Sequence, residues 1–379
     1  MSLWPVLLFL VTVGMLLLPL LPALIELAYP TDVAPLRVVQ AYDNNPMHFA
    51  QGFTSYISNH FGKNFGELHK HDTRAGAFAD GTNYEIVGED GKIAPMQEGG
   101  NKVILSPYAL RLPEGGAFDS EVYSETTLAS GSHCSLRAAY SEGGMELGPH
   151  TTLLRWAHSN GDMHVGANST LYGRATSMAD IFLAAGCNFE RLHARKIITG
   201  EALEITHPTV ERTLMEQLKG VKMQAERRSL LEGDLDFPAY HTFDGDIVAG
   251  STAMIGDYAH IKGSVKSNAL NDLRHYLHTT GVMAGELKNA ARCELGHYVR
   301  IDGSVVSTHD LIIGPHCRIS GPVIAENLLV IRTGAVIGTP EYPCTVSAQQ
   351  ILIETGCVIY GTLWAGKLGT VMQAQEVGV

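Results

Sequence analysis

Histidine is the side chain whose spacing in this sequence most invites chemistry. His150 and His316 each stand two residues after a glycine, Gly148 and Gly314, and His297 stands one residue after Gly296. An imidazole held at such a position can serve as general base toward a hydroxyl or an amine. A repeated place is equally what a solvated corner residue would occupy, so no catalytic residue is assigned and His150, His297 and His316 belong to a rival reading only. His69-Lys-His71, with His60 and Asp72 nearby, offers the imidazole and carboxylate donors of a transition-metal site. In a chain with 17 histidines that proximity is expected by chance. Glu232-Gly-Asp234 and Asp244-Gly-Asp246 look like calcium turns but lack the ligand spacing of a calcium loop, and read as corners. No phosphate-binding loop, nucleophile elbow or dinucleotide fingerprint occurs. No metal or cofactor is expected.

The elements that must carry these residues come from a repeat. Gly131, Gly148 and Gly166 are each followed five positions later by a leucine, Leu136, Leu153 and Leu171, and Gly186 extends the series more loosely. The same pattern returns as Ile255-Gly-Asp-Tyr-Ala-His-Ile261-Lys-Gly-Ser-Val265, Leu295-Gly-His-Tyr-Val-Arg-Ile301-Asp-Gly-Ser-Val305 and Ile313-Gly-Pro-His-Cys-Arg-Ile319-Ser-Gly-Pro-Val323. A period of about 18 residues with apolar positions two apart predicts triangular coils of three short strands, each pairing with its counterpart one coil away. The fold class expected is all-β, a parallel β-helix. Ile261, Ile301 and Ile319 should stack as one internal ladder, and Ala259, Val299 and Cys317 as a ladder of smaller residues. The glycines are expected where the backbone turns at positive φ or where a Cβ would not fit. An antiparallel sandwich would not need one fixed register over so many steps.

The remaining segments divide the chain into an N-terminal transmembrane anchor (1–28), a membrane-proximal region with a helix and short strands (29–117), a first β-helix arm (118–200), a linker with an amphipathic helix (201–231), a second arm (232–369) and a tail (370–379). Leu3 to Ile25 carries no charge, and at about 1.5 Å per residue it would span about 35 Å as a helix. Thr31 to Leu36 reads as a linker, and Pro46 to Phe61 as a mildly amphipathic helix. Thr206 to Leu231 reads as a second helix, with Val210, Leu214, Leu218 and Val221 on one stripe. A net charge of −12 without basic runs argues against a nucleic-acid partner. The weak positive-inside signal puts the body outside the cytoplasm, in a bacterium the periplasm, at the inner membrane. Six cysteines, most of them in positions that want a small apolar residue, read as buried unpaired thiols, which fit a reducing compartment at least as well.

The second arm, on Gly245-Asp-Ile-Val-Ala-Gly, Ile255-Gly-Asp-Tyr-Ala-His-Ile-Lys-Gly-Ser-Val-Lys-Ser and the later Gly-Ser-Val and Gly-Pro-Val steps, resembles the bactofilin or polymer-forming cytoskeletal family. The resemblance implies a right-handed β-helix without enzymatic activity that associates end to end or docks on a membrane scaffold. It extends to anchored relatives that accompany envelope polysaccharide synthesis. The expected partners are therefore the membrane, other copies of the chain and an integral-membrane envelope or polysaccharide-synthase component. The long anchor, the membrane-proximal region and the first arm depart from simple members and put free filament growth in doubt. The alternative is a hexapeptide-repeat-like acyltransferase acting on an envelope sugar. A carbohydrate-binding module would need aromatics along one exposed face, and Trp156 and Trp364 alone are too few.

Overall fold

The computed structural model describes residues 3–18, 45–62, 65, 74–88, 101–201, 221–225, 228–268 and 292–374. It divides into two compact units, residues 1–45 and 46–379. The first holds helix α1 (Trp4–Leu17), with Pro5 in its first turn, where the missing N–H costs nothing. Its 14 residues cover about 21 Å. No helix among the described residues is long and apolar enough to cross a membrane. The rest of the expected anchor, the Thr31 to Leu36 linker, and His69-Lys-His71 with Asp72 lie outside the described residues.

The second unit is a β-solenoid of ~13 coils. In the first arm one inner ladder runs Phe118, Leu136, Leu153, Leu171, Phe189, each paired in parallel with the next. In the second arm Ile261, Ile301, Ile319, Ile337 and Ile359 stack as the repeat predicts. Ala259, Val299 and Cys317 are buried beside them. Parallel pairing begins before the expected boundary at residue 118, with Asn83–Ile86 on Lys102–Ser106 and that strand on Ala117–Ser124.

The recurrent glycines serve close approach. A Cβ on Gly148 would lie 2.4 Å from the carbonyl oxygen of Gly131 one coil back, and one on Gly314 2.3 Å from that of Gly296. Positive φ falls mostly two positions later instead, at His133, His150 and Asn168 in the first arm and Tyr258, Tyr298 and His316 in the second, with Tyr240 in the same place after Pro238, while Gly186 of the looser fourth step takes φ 77° itself. Asparagine tolerates this region and aromatic residues do not favour it. The rings recover part of that cost by stacking coil on coil, Tyr240 on Tyr258 at 4.8 Å, Tyr258 on Tyr298 at 5.0 Å and Tyr298 on His316 at 4.7 Å.

The two arms are one stack. The last strand of the first arm, Asn188–Thr199, pairs antiparallel with the last strand of the second, Val358–Met372. Leu192 meets Leu363, and Ile197 meets Ile359, so the inner ladders of both arms run on through the junction. All three faces take part, and a single buried core spans both arms. Polar groups cross the seam as well. Thr199 donates its Oγ1 hydrogen to the Glu354 carbonyl at 2.7 Å, and Thr370 donates to Asn188 Oδ1 at 2.9 Å.

Helix α2 (His48–Phe61) lies where the apolar pattern predicts it. It packs on the outside of the first arm, with Ala50 and Ile57 buried against Val103, Leu105, Tyr123 and Tyr140. The expected helix of residues 206–231 needs correction at its C-terminal end. Val221–Ala225 and Arg228–Leu231 are strands in an antiparallel pair, and the second of them starts the stack on Asp246–Ala249. Leu230 and Leu231 fit a strand edge as well as a helical stripe, and the neighbouring coil decides between them. Residues 202–220 of that segment lie outside the described residues.

Five of the six cysteines are buried and all are unpaired. Cys317 and Cys357 share a ladder but are separated by the coil of Ala335, an interval of about 9.6 Å, beyond the reach of a disulfide. Burial pushes the thiols of Cys293, Cys317 and Cys357 up to about 12.

Candidate functional site

The histidines singled out by spacing take corner and edge positions. His150 stacks on His133 at 4.7 Å with rings 2° from parallel, and His316 closes the tyrosine column of the second arm. Burial and the neighbouring His297 hold the His316 imidazole below its ordinary range. His297 donates its backbone N–H to Asp257 Oδ1 at 2.7 Å. His60 lies among aromatic rings, 4.8 Å from Phe78 and 5.6 Å from Tyr84. Of the acidic turns, Asp234 Oδ1 accepts the N–H of Thr252 and Asp246 Oδ1 that of Ser264, each one coil on. Their carboxylates therefore hook successive coils together.

A strained column makes a prediction. His316 has φ 61°, so His316→Asn should leave the urea midpoint nearly unchanged. His316→Val, β-branched and unable to stack, should lose about 1 kcal/mol at the same position.

The site that spacing did not reveal lies at the junction. On the outer surface Trp156 pairs with Arg174, Arg174 with Arg191, and Arg191 with Trp364. Their neighbours Ala157, Ala175, Leu192 and Leu363 point inward and are buried, so these four side chains point outward along one row. Three strand spacings separate the two indoles, about 14 Å. They border a cleft of about 630 Å³ that also takes in Tyr172, Arg155, Glu190 and Phe49 of α2.

Each wall has a local cause. Gly173 sits at a register shift between Leu171 and Arg174, with φ 77°, and a Cβ there would lie 2.1 Å from the Arg155 carbonyl oxygen. Only glycine lets the coil fold in at that point. Glu190 Oε2 accepts the Gly173 N–H at 2.9 Å, fixing the bend. Phe53 of α2 buttresses Trp156 edge-on at 5.7 Å. The Arg191 guanidinium lies over the Trp364 ring at 4.8 Å, across the seam between the arms. Arg174 lies over Phe49 at 5.7 Å and donates to the Pro46 carbonyl.

The charge of this cleft is positive in a chain of net charge −12. Among the described residues neither Arg155 nor Arg191 forms an ion pair, and the Arg191 Nε is shut from solvent with no acceptor. Burial, then Arg191 and Arg174, lower the proton affinity of His193, whose Nδ1 lies 2.8 Å from Thr362 Oγ1 across the seam. The Arg191 guanidinium is held flat by its stacking, and the exposed face of Trp364 can take an apolar ring.

The fold and cleft define a class: a two-armed β-solenoid closed coil-edge to coil-edge, with an aromatic and cationic cleft at the closure. Set against known protein families, curated proteins and solved structures, the chain matches none.

Proposed function

We propose that the protein is a non-enzymatic, membrane-anchored β-solenoid scaffold of the bactofilin-like kind, docking on other copies or on an envelope complex, with exopolysaccharide synthesis its setting. The observation that carries this reading is the junction itself. A terminal coil of this repeat docks on another terminal coil through antiparallel backbone pairing and apolar ladders that run on across the seam. The opposite ends offer the same chemistry. Among the described residues, Leu110–Leu112 pairs only with the coil after it, as does Leu235–Phe237, while additional strands cover one face at each end. Open strand edges of this kind are templates for another chain. The apolar segment from Leu3 to Ile25 would confine such pairing to a membrane and raise its effective concentration.

Purification of the tagged full chain from native membranes tests the reading. Self-association or an integral-membrane synthase component in the eluate is the expected result, unchanged in His150→Ala/His316→Ala. Discrete trimers with acyltransferase activity that the same double substitution abolishes would replace scaffold with enzyme.

A further inference from the structure

Outward side chains at the junction form an apolar face that end-to-end docking leaves uncovered. Strand alternation puts Leu154, Tyr172 and Leu368 outside, next to the inner-ladder positions Leu153, Leu171 and Gly369, on one row that crosses the seam. Leu154 and Tyr172 border the cleft together with Trp364 and with Phe49 of α2. The five side chains are 42% to 53% exposed, and among the described residues they are half of the exposed large apolar side chains of the second unit. Such clustering marks an interaction surface. We propose that this face lies on a phospholipid bilayer, its leucines among the upper acyl chains and its rings at headgroup level.

Three observations favour a bilayer over a protein. The chain that follows the apolar segment Leu3 to Ile25 enters the second unit at Pro46, whose carbonyl accepts a hydrogen bond from Arg174 beside Phe49. A tether from a membrane anchor therefore joins the solenoid at the rim of this face and keeps it at high local concentration near lipid. The composition is that of a membrane interface: Trp and Tyr beside aliphatic side chains, with Arg155 and Lys367 exposed and outside any ion pair among the described residues. Glu190, held by the Gly173 N–H, offsets part of that charge, so insertion of the apolar side chains carries the binding. Finally, every strand of this face is paired on both sides, which leaves no edge for a protein to extend. A second copy docked on the same face would set its own Arg155 and Lys367 against these. The net charge of −12 turns the rest of the body away from anionic lipid.

The row Leu154, Tyr172, Leu368 runs from coil to coil, so the axis of the stack would lie along the membrane, with both open ends accessible beside it. The proposal rests on the membrane anchor of the scaffold reading and not on self-association or on a polysaccharide setting.

The test uses the full chain reconstituted into vesicles of phosphatidylcholine and phosphatidylglycerol brominated near the headgroup end of the acyl chains. Trp4→Phe/Trp156→Phe leaves Trp364 as the one indole of a chain that has three. Its emission should shift to the blue and lose most of its intensity relative to unbrominated vesicles. The difference between wild type and Trp364→Phe gives the same quantity in a chain that keeps Trp156. Adding Leu154→Glu/Leu368→Glu should restore the emission while the far-ultraviolet spectrum stays unchanged. Quenching that survives this pair of charges would overturn the proposal, because contact with lipid would then not depend on the apolar face. Unquenched Trp364 in protein that floats with the vesicles overturns it too, and leaves the anchor and the scaffold reading standing. If that indole is instead shielded from aqueous acrylamide only at high protein density, the face belongs to a second copy. Protein that does not float removes the anchor and the proposal together.

Discussion

Gly369→Ala should destabilise the protein by about 3 kcal/mol, although it adds one methyl group to a backbone that is not in the left-handed region. A Cβ at Gly369 would fall 2.2 Å from two atoms of the Phe189 ring, across the seam. Phe189 is fully buried, so the ring has nowhere to turn. The inner ladder explains the arrangement: Phe189 follows three leucines and faces Gly369, whose missing side chain leaves room for the larger ring. Phe189→Ala alone should cost about 3–5 kcal/mol through the cavity it leaves. The two changes together should cost clearly less than their sum, because the shortened side chain vacates the space that the new methyl needs. Urea unfolding of the four proteins measures this coupling. Simple additivity would mean that the ring and the glycine do not meet, and the seam would have to be drawn elsewhere. Because a solenoid's stability is mostly a sum of neighbouring interfaces, weakening this one should also separate the unfolding of the arms into two transitions.

The seam shows where the repeat ceases to be informative. Within an arm, each coil is encoded by its likeness to the next, so Ile261, Ile301 and Ile319 could be aligned by inspection and are aligned in the structure. The seam joins Leu192 to Leu363 and Ile197 to Ile359, residues with no shared motif and opposite chain direction. In the structure Asn188–Thr199 and Val358–Met372 are the two longest strands, ahead of Cys344–Glu354, but no repeat in the sequence marks them. The cleft was hidden for the same reason. Trp156 and Trp364 are two isolated aromatics in sequence, and only the antiparallel register sets Arg174 and Arg191 between them. The left-handed corners were half legible. The glycines drew attention two positions early, because close approach needs glycine whereas positive φ here falls on stacked Tyr and His. At 221–231 the helical spacing of apolar residues gave way to strand pairing, since a free solenoid edge rewards any nearby β-capable segment.

Stability should fall steeply above pH 9, and the buried thiols should account for much of the slope. In the unfolded chain a thiol ionises near 9, whereas Cys293, Cys317 and Cys357 hold their protons up to about 12. Burial is the main cause in each. Between those values the folded state keeps protons that the unfolded state releases, so stability is complete below pH 9 and is lost as pH rises toward 12. Each thiol contributes about 1.4 kcal/mol per pH unit, and the three together about 4. Tyr123, whose phenol is held above its usual range by burial and by its hydrogen bond to Glu142, works in the same direction at higher pH. A Cys293→Ala/Cys317→Ala/Cys357→Ala variant separates the contributions: its urea midpoint should be lower at pH 7 and decline less between pH 9 and 10.5. Equal slopes in the two proteins would mean that the thiols ionise as readily folded as unfolded. The same protonation bears on the compartment. The thiolate is the reactive species, and a buried thiol that keeps its proton and has no cysteine within bonding reach resists oxidation without a partner. Unpaired cysteines in this solenoid are thus as compatible with an oxidising compartment as with a reducing one, and the apparent conflict between thiol content and a body outside the cytoplasm loses its force.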